Sequence, residues 1–165
     1  MKTITDHLAG YAAYHRDQRN IITHLVGIPL IVLGIETLLA RPSFMIADIA
    51  LSPAILVSLV AALFYLYLDV ALGILMTVLL GLAVWFGASI SELGTAAWLT
   101  AGIGMFVVGW VFQFIGHYFE GKKPAFVDDI MGLAIGPLFV VAEVVFMLGG
   151  KKQLHQAIEA RFQQE

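Results

Sequence analysis

The chain has 165 residues, of which 60% are hydrophobic and only 13% charged, with a formal net charge of −3 and no cysteine. Soluble domains carry about a quarter charged residues, so this is an integral membrane protein with room for one small helical bundle and no separate soluble domain. The missing cysteines exclude disulfides, thiolate zinc sites, iron–sulfur clusters and a cysteine nucleophile, and the mild acidity shows no bias toward nucleic acid.

The opening MKTITDHLAGYAAYHRDQRN is too polar and aromatic for a signal peptide, so it is expected to be retained. Residues 5–17 predict a short amphipathic helix. His7, Tyr11, His15 and Gln18 share one face of it, at spacings of four, four and three. The run RDQRN predicts a break. Residues 21–40 form the first candidate span, about 30 Å as a helix and so matched to a hydrocarbon core. Arg41-Pro42 ends it.

Ser52-Pro53 is a cap followed by proline at a first helical position, which starts the next helix. From there to Ala88 the only charge is Asp69, read as a turn cap between spans 53–68 and 70–88. Residues 89–94 are expected to loop, residues 95–117 to form a fourth span, and residues 118–129 (YFEGKKPAFVDD) to form a polar loop. Residues 130–149 are a fifth apolar segment, interrupted at Gly136-Pro137 and carrying Glu143. Glu143 reads either as a functional carboxylate or as a partner for a buried polar group. A charged amphipathic helix follows from Lys151. The expected fold is all-α: one domain, residues 1–165, forming a polytopic transmembrane helical bundle with four to five hydrophobic segments and short amphipathic terminal helices.

An even number of crossings puts the start of the first span and the end of the fourth on one side. His15, His24 and His117 can then share one interface, with Lys2, Arg16, Arg19, Lys122 and Lys123 on that side, which the positive-inside rule makes cytoplasmic. If the fifth segment turned back, the basic tail would join them. That reading is favoured, because irregular backbone is tolerated where it lines a buried site.

Gln113, His117 and Glu120 lie on one helix face, at spacings of four and three. Asn20 and His24 are one turn apart. His15 and His24, nine residues apart, would face opposite ways on an unbroken helix, since nine steps of about 100° leave a half turn. A shared site therefore needs the break at RDQRN. Histidine nitrogen with a carboxylate suits non-haem iron, and the same donors could hold zinc. Tyr11, Tyr14, Asn20 and Gln113 would then orient the imidazoles. Any one of these histidines could be a plain boundary residue, but three converging on one side point to a site; His7 and His155 are expected to be surface residues.

YAAYHRDQRNIITHLVGIPL and GWVFQFIGHYFEGKKPAFVDDIMGLAIGPLFVVAE resemble the family of small membrane proteins typified by the fungal 2-hydroxy fatty acid dioxygenase of the endoplasmic reticulum, which includes bacterial members. The pattern Tyr-x-x-Tyr-His-x4-Asn-x3-His runs from Tyr11 to His24, and Gln-x2-Gly-His-x2-Glu-x3-Pro-Ala from Gln113 to Ala125. The resemblance implies Fe(II)-dependent α-oxidation, in which a 2-hydroxy fatty acid reacts with O2 and is left one carbon shorter. It implies His15, His24 and His117 as iron ligands and Glu120 as a fourth. It also implies a substrate drawn from the lipid bilayer and, for a bacterial member, an inner-membrane location with the metal toward the cytoplasm. Competing readings are another metal-dependent lipid enzyme such as a zinc hydrolase, and a small proton-linked transporter using Glu143. A transporter predicts inverted repeats and a polar path, and the sequence shows neither. A purely structural role would leave the paired histidine motifs without purpose.

Overall fold

A computed structural model describes residues 2–47 and 49–163, and these form seven α-helices and one two-stranded hairpin. Helix α1 (Ile4–Ala12) starts with a capping box, in which Thr3 Oγ1 accepts from Asp6 N–H at 3.2 Å and Asp6 accepts from Thr3 N–H at 2.8 Å. After α2 (Gln18–Leu39), strands β1 (Phe44–Ile46) and β2 (Ile49–Leu51) pair antiparallel. Ser52 caps α3 (Pro53–Leu68) through Ile55 N–H at 3.4 Å, and Asp69 caps α4 (Val70–Glu92) through Leu72 N–H at 2.9 Å. Then come α5 (Thr95–Glu120), a 3-10 turn (Ala125–Val127), α6 (Gly132–Met147) and α7 (Lys152–Phe162).

By length and apolarity α2, α4 and α5 can each cross a membrane, α3 is a shorter apolar helix, and α6 with α7 forms a pair bent by 111°. The chain divides into two compact units, Met1–Leu25 with Gln113–Glu165, and Val26–Phe112.

In the unit Val26–Phe112 the pattern is inverted relative to a soluble protein. Val60, Leu63, Tyr67 and Trp85 are exposed, whereas Glu36, Thr37 and Ser58 are buried. Exposed apolar surface on this scale belongs against lipid. Ser58 Oγ donates to Glu36 Oε1 at 2.8 Å and the Trp98 indole N–H donates to the Thr37 carbonyl at 2.6 Å, while Glu36 Oε2 is buried without a partner. Helices α2 and α5 run antiparallel and close. A Cβ on Gly34 would lie 2.7 Å from Phe106 N, and one on Gly109 would lie 2.7 Å from the Gly27 carbonyl. Small residues permit such contact between membrane helices.

The unit made of Met1–Leu25 and Gln113–Glu165 holds α1, α6, α7 and the adjoining ends of α2 and α5. Phe139, midway along α6, packs on Tyr11 with ring centroids 4.9 Å apart. Near the start of α6, Asp129 pairs with Lys2 at 3.6 Å and Asp128 accepts from Tyr14 Oη at 2.6 Å. After α6 the backbone turns through left-handed conformations at Gly149 (φ 81°) and Lys151 (φ 46°). Helix α7 then returns to the N-terminal segment, with Arg161 on Asp6 and Arg16 on Glu159, each at 2.9 Å. The segment just before α6 and the far half of α7 are thus both fastened to residues 2–16.

Several boundaries differ from those expected. Helix α1 stops at Ala12 rather than 17, so His15 and Gln18 do not continue its face, and the break covers residues 13–17 instead of RDQRN. Tertiary partners take the backbone groups a longer helix would have used: Lys122 on the Ala13 carbonyl, Asn20 on the Tyr14 carbonyl, and Glu120 on the N–H groups of Arg16 and Asp17. The expected loop at 89–94 is mostly helix. Ser89 and Ser91 bond back to the carbonyls of Trp85 and Ala88, and α4 ends only near Gly94 (φ 109°). Helix α5 runs on to Glu120. Gly136-Pro137 does not interrupt α6; the break falls at residues 148–151. The β-hairpin was not expected, because its residues lack any polar–apolar alternation.

Candidate metal centre

Each histidine comes from a different local setting. His15 sits in the bridge between α1 and α2, His24 in the second turn of α2, and His117 in the last turn of α5. Their approach depends on Gly116, where a Cβ would collide with Thr23 Oγ1 and Asn20 Oδ1 and come within 3.2 Å of His24 Nδ1. Glycine there lets the end of α5 lie against the start of α2.

All three side chains are buried, at 1%, 1% and 6% exposure for His15, His24 and His117. Their candidate ligand atoms lie within 4.8 Å of one another. Main-chain carbonyls set the tautomers of two of them. His15 Nδ1–H donates to the Tyr11 carbonyl at 2.7 Å, and His24 Nδ1–H to the Asn20 carbonyl at 2.9 Å. Both Nε2 atoms then carry lone pairs, yet they face each other at 2.9 Å. Two lone pairs that close repel unless a cation or proton lies with them. Two nitrogens bound to one ion at about 2.1 Å stand about 3 Å apart when they meet it at a right angle. His117 Nδ1 is buried without a hydrogen-bond partner, which leaves it free for the same ion. The arrangement fits a divalent transition metal; imidazole donors suit iron, zinc, copper and nickel.

Tyr11 stacks on His15, with centroids 4.2 Å apart and an interplanar angle of 4°, and Phe139 tilts against the same imidazole at 5.5 Å. Burial pushes His15 down to about 4, against the contrary pull of the Tyr11 carbonyl. Its imidazole is therefore neutral, and able to bind a metal, at neutral pH. Burial also pushes the Tyr11 phenol up, and the bond to Asp128 pushes the Tyr14 phenol up.

The remaining candidates divide. Glu120 lies outside the group of converging ligand atoms. Its carboxylate accepts from Arg16 N–H at 3.0 Å, Asp17 N–H at 2.8 Å and Asn20 Nδ2 at 3.1 Å, so it clamps the bridge that carries His15. Asn20 orients an imidazole through its main-chain carbonyl, and Tyr11 does so through both its carbonyl and its stacked ring. Tyr14 is turned to Asp128. Asn20 Oδ1 and Gln113 Nε2 are buried without partners. A cavity of about 210 Å³ opens beside Tyr11, lined by Lys2, His7, Tyr14, Asp128 and Ile135 among others. Lys122 and Lys123 bond to the Ala13 carbonyl and to Asp128. Asp128 and the contacts of α7 went unnoticed in the sequence, where no periodicity marks them.

The family model for 2-hydroxy-palmitic acid dioxygenase Mpo1-like proteins matches residues 1–148. The chain belongs to this family. Among curated proteins, 2-hydroxy-palmitic acid dioxygenase MPO1 of Saccharomyces cerevisiae is 29% identical over 154 residues, covering 92% of this chain and 85% of that protein. No solved structure matches. The Mpo1-like match takes in the three histidines, Glu120, Gln113 and Asn20, and stops before α7.

Proposed function

We propose that the chain is an iron(II)-dependent dioxygenase that carries out α-oxidation of 2-hydroxy fatty acids, leaving a fatty acid one carbon shorter. The observation that carries this reading is the convergence of three buried imidazoles, two of them locked with Nε2 lone pairs 2.9 Å apart, in a member of the Mpo1-like family. His15, His24 and His117 would hold the metal. When bound, iron(II) would supply electrons to O2 and an electrophilic template for the 2-hydroxyl and carboxylate.

The protein's own contribution is position and dryness. The Tyr11 and Asn20 carbonyls keep Nδ1 protonated on two ligands, which directs Nε2 inward. The Tyr11 and Phe139 rings close one side of His15 against water. Gln113 Nε2 is an unused buried donor and Asn20 Oδ1 an unused buried acceptor. They are offered to the carboxylate and the hydroxyl of the substrate, since a site built around such groups discriminates for the ligand that satisfies them. Glu120 acts as the clamp on the His15 bridge and not as a ligand. The acyl chain would enter from the bilayer. Eight of the nine Lys and Arg residues fall in the unit that carries the histidines, and only Arg41 lies in the other. That asymmetry supports a bacterial inner-membrane protein with this unit on the cytoplasmic side.

The test is turnover by the detergent-purified protein, supplied anaerobically with Fe(II) and then with O2 and a 2-hydroxy fatty acid. A product one carbon shorter is expected from the wild type and none from His117→Ala. Product at equal rates from both would remove His117 from the reaction.

A further inference from the structure

The family match ends at residue 148, yet helix α7 beyond it touches the segment that carries His15. Residues 13–17 lie outside any helix, and each is tied from elsewhere. Lys122 Nζ donates to the Ala13 carbonyl at 2.8 Å, and Asn20 Nδ2 to the Tyr14 carbonyl at 3.1 Å. His15 is bonded to Tyr11, and the N–H groups of Arg16 and Asp17 donate to Glu120. Among the described residues, the side chain of Arg16 is the part of this bridge held from past the family match. Its guanidinium donates to both oxygens of Glu159, at 2.9 and 3.0 Å, and lies 4.3 Å above the Phe162 ring.

This fork-to-fork geometry fixes direction as well as distance. Helix α7 is itself anchored. Ile158 is 4% exposed, Arg161 pairs with Asp6 at 2.9 Å, and His155 stacks on Phe146 at 4.6 Å. An exposed ion pair adds little to the stability of a whole fold. A short bridge between helices is different, because it opens locally at low free energy and a tie acts directly on that opening. Metal affinity in turn depends on how well the groups around a ligand hold it in place.

We propose that α7 is a latch on the bridge that carries His15, with Arg16 and Glu159 as positioning residues that keep His15 Nε2 against His24. The consequence for metal binding rests on the reading of His15 as a ligand; the effect on the bridge does not.

The experiment uses the full chain in detergent as wild type, Glu159→Ala, the charge swap Arg16→Glu with Glu159→Arg, and Gln156→Ala on the exposed face of α7. Amide hydrogen exchange across residues 13–17 is read on metal-free protein, and Co(II) affinity from its absorption spectrum. Glu159→Ala should speed exchange in the bridge and weaken Co(II) binding by about tenfold. The swap should restore both, and Gln156→Ala should change neither. Wild-type exchange rates in Glu159→Ala would overturn the latch whatever the metal does. Faster exchange in Glu159→Ala with no Co(II) bound by any form would uphold the latch and overturn the metal reading.

Discussion

At the scale of single residues, the centre is defined by which atoms are already engaged. Glu120 has the chemistry of an iron ligand, but its oxygens are taken by two backbone N–H groups and an amide. Glu120→Ala is expected to release those donors to water, loosening the bridge, and to lower metal affinity about 10–100-fold. Glu120→Gln should do less of both. Equal affinity in wild type and Glu120→Ala, by competition with a chelator of known affinity, would show that the clamp does not act on the centre. His15 carries a pH dependence. Burial lowers its folded value from the ordinary 6.5 to about 4, so the unfolded chain binds a proton first as the pH falls. Stability from this group is fully present above about 6.5 and is lost as the pH drops toward about 4. Denaturation midpoints of metal-free protein from pH 7 to 4.5 should fall, and His15→Gln should flatten that slope. A slope unchanged by the substitution would remove His15 as its source.

At the scale of elements, the site depends on how closely two helix ends meet. Gly116→Ala is expected to push α5 away from Asn20, Thr23 and His24, costing about 1–3 kcal/mol as overpacking does and separating His117 from the other two ligands. A thermal midpoint and metal content equal to wild type would show that the contact relaxes freely. This element boundary was partly legible in the sequence. Hydropathy and caps placed α3 at Pro53–Leu68 and the turn at Asp69, because these depend on local chemistry. The need for a break between His15 and His24 followed from helical geometry alone. Its position at residues 13–17 did not, because the break is held open by Lys122, Asn20 and Glu120. Those are partners distant in sequence or across the bridge, and local propensity carries no trace of them. Glu120 read as a ligand from its spacing to His117, and its bonds to Arg16, Asp17 and Asn20, about a hundred residues away, leave no mark in that spacing.

At the scale of the whole molecule, two observations agree on one layout. Ion pairs from Asp129, before α6, and from Glu159 and Arg161 of α7 to residues 2–16 keep the basic tail with the N-terminal segment, and eight of nine basic side chains gather in that unit. The other unit turns its apolar side chains outward and its polar ones inward, as a lipid-facing bundle does. Membership of the Mpo1-like family then joins a membrane-embedded scaffold to a buried nitrogen centre. In the proposed function this centre holds iron. The most direct measurement is elemental analysis of detergent-purified protein prepared without added metal, on the wild type and on His15→Ala, His24→Ala and His117→Ala. About one iron per chain is expected in the wild type, as a single three-ligand site requires, with loss in each variant and retained membrane insertion. Stoichiometric zinc in the wild type, or no metal even after anaerobic iron(II) is supplied, would contradict the account.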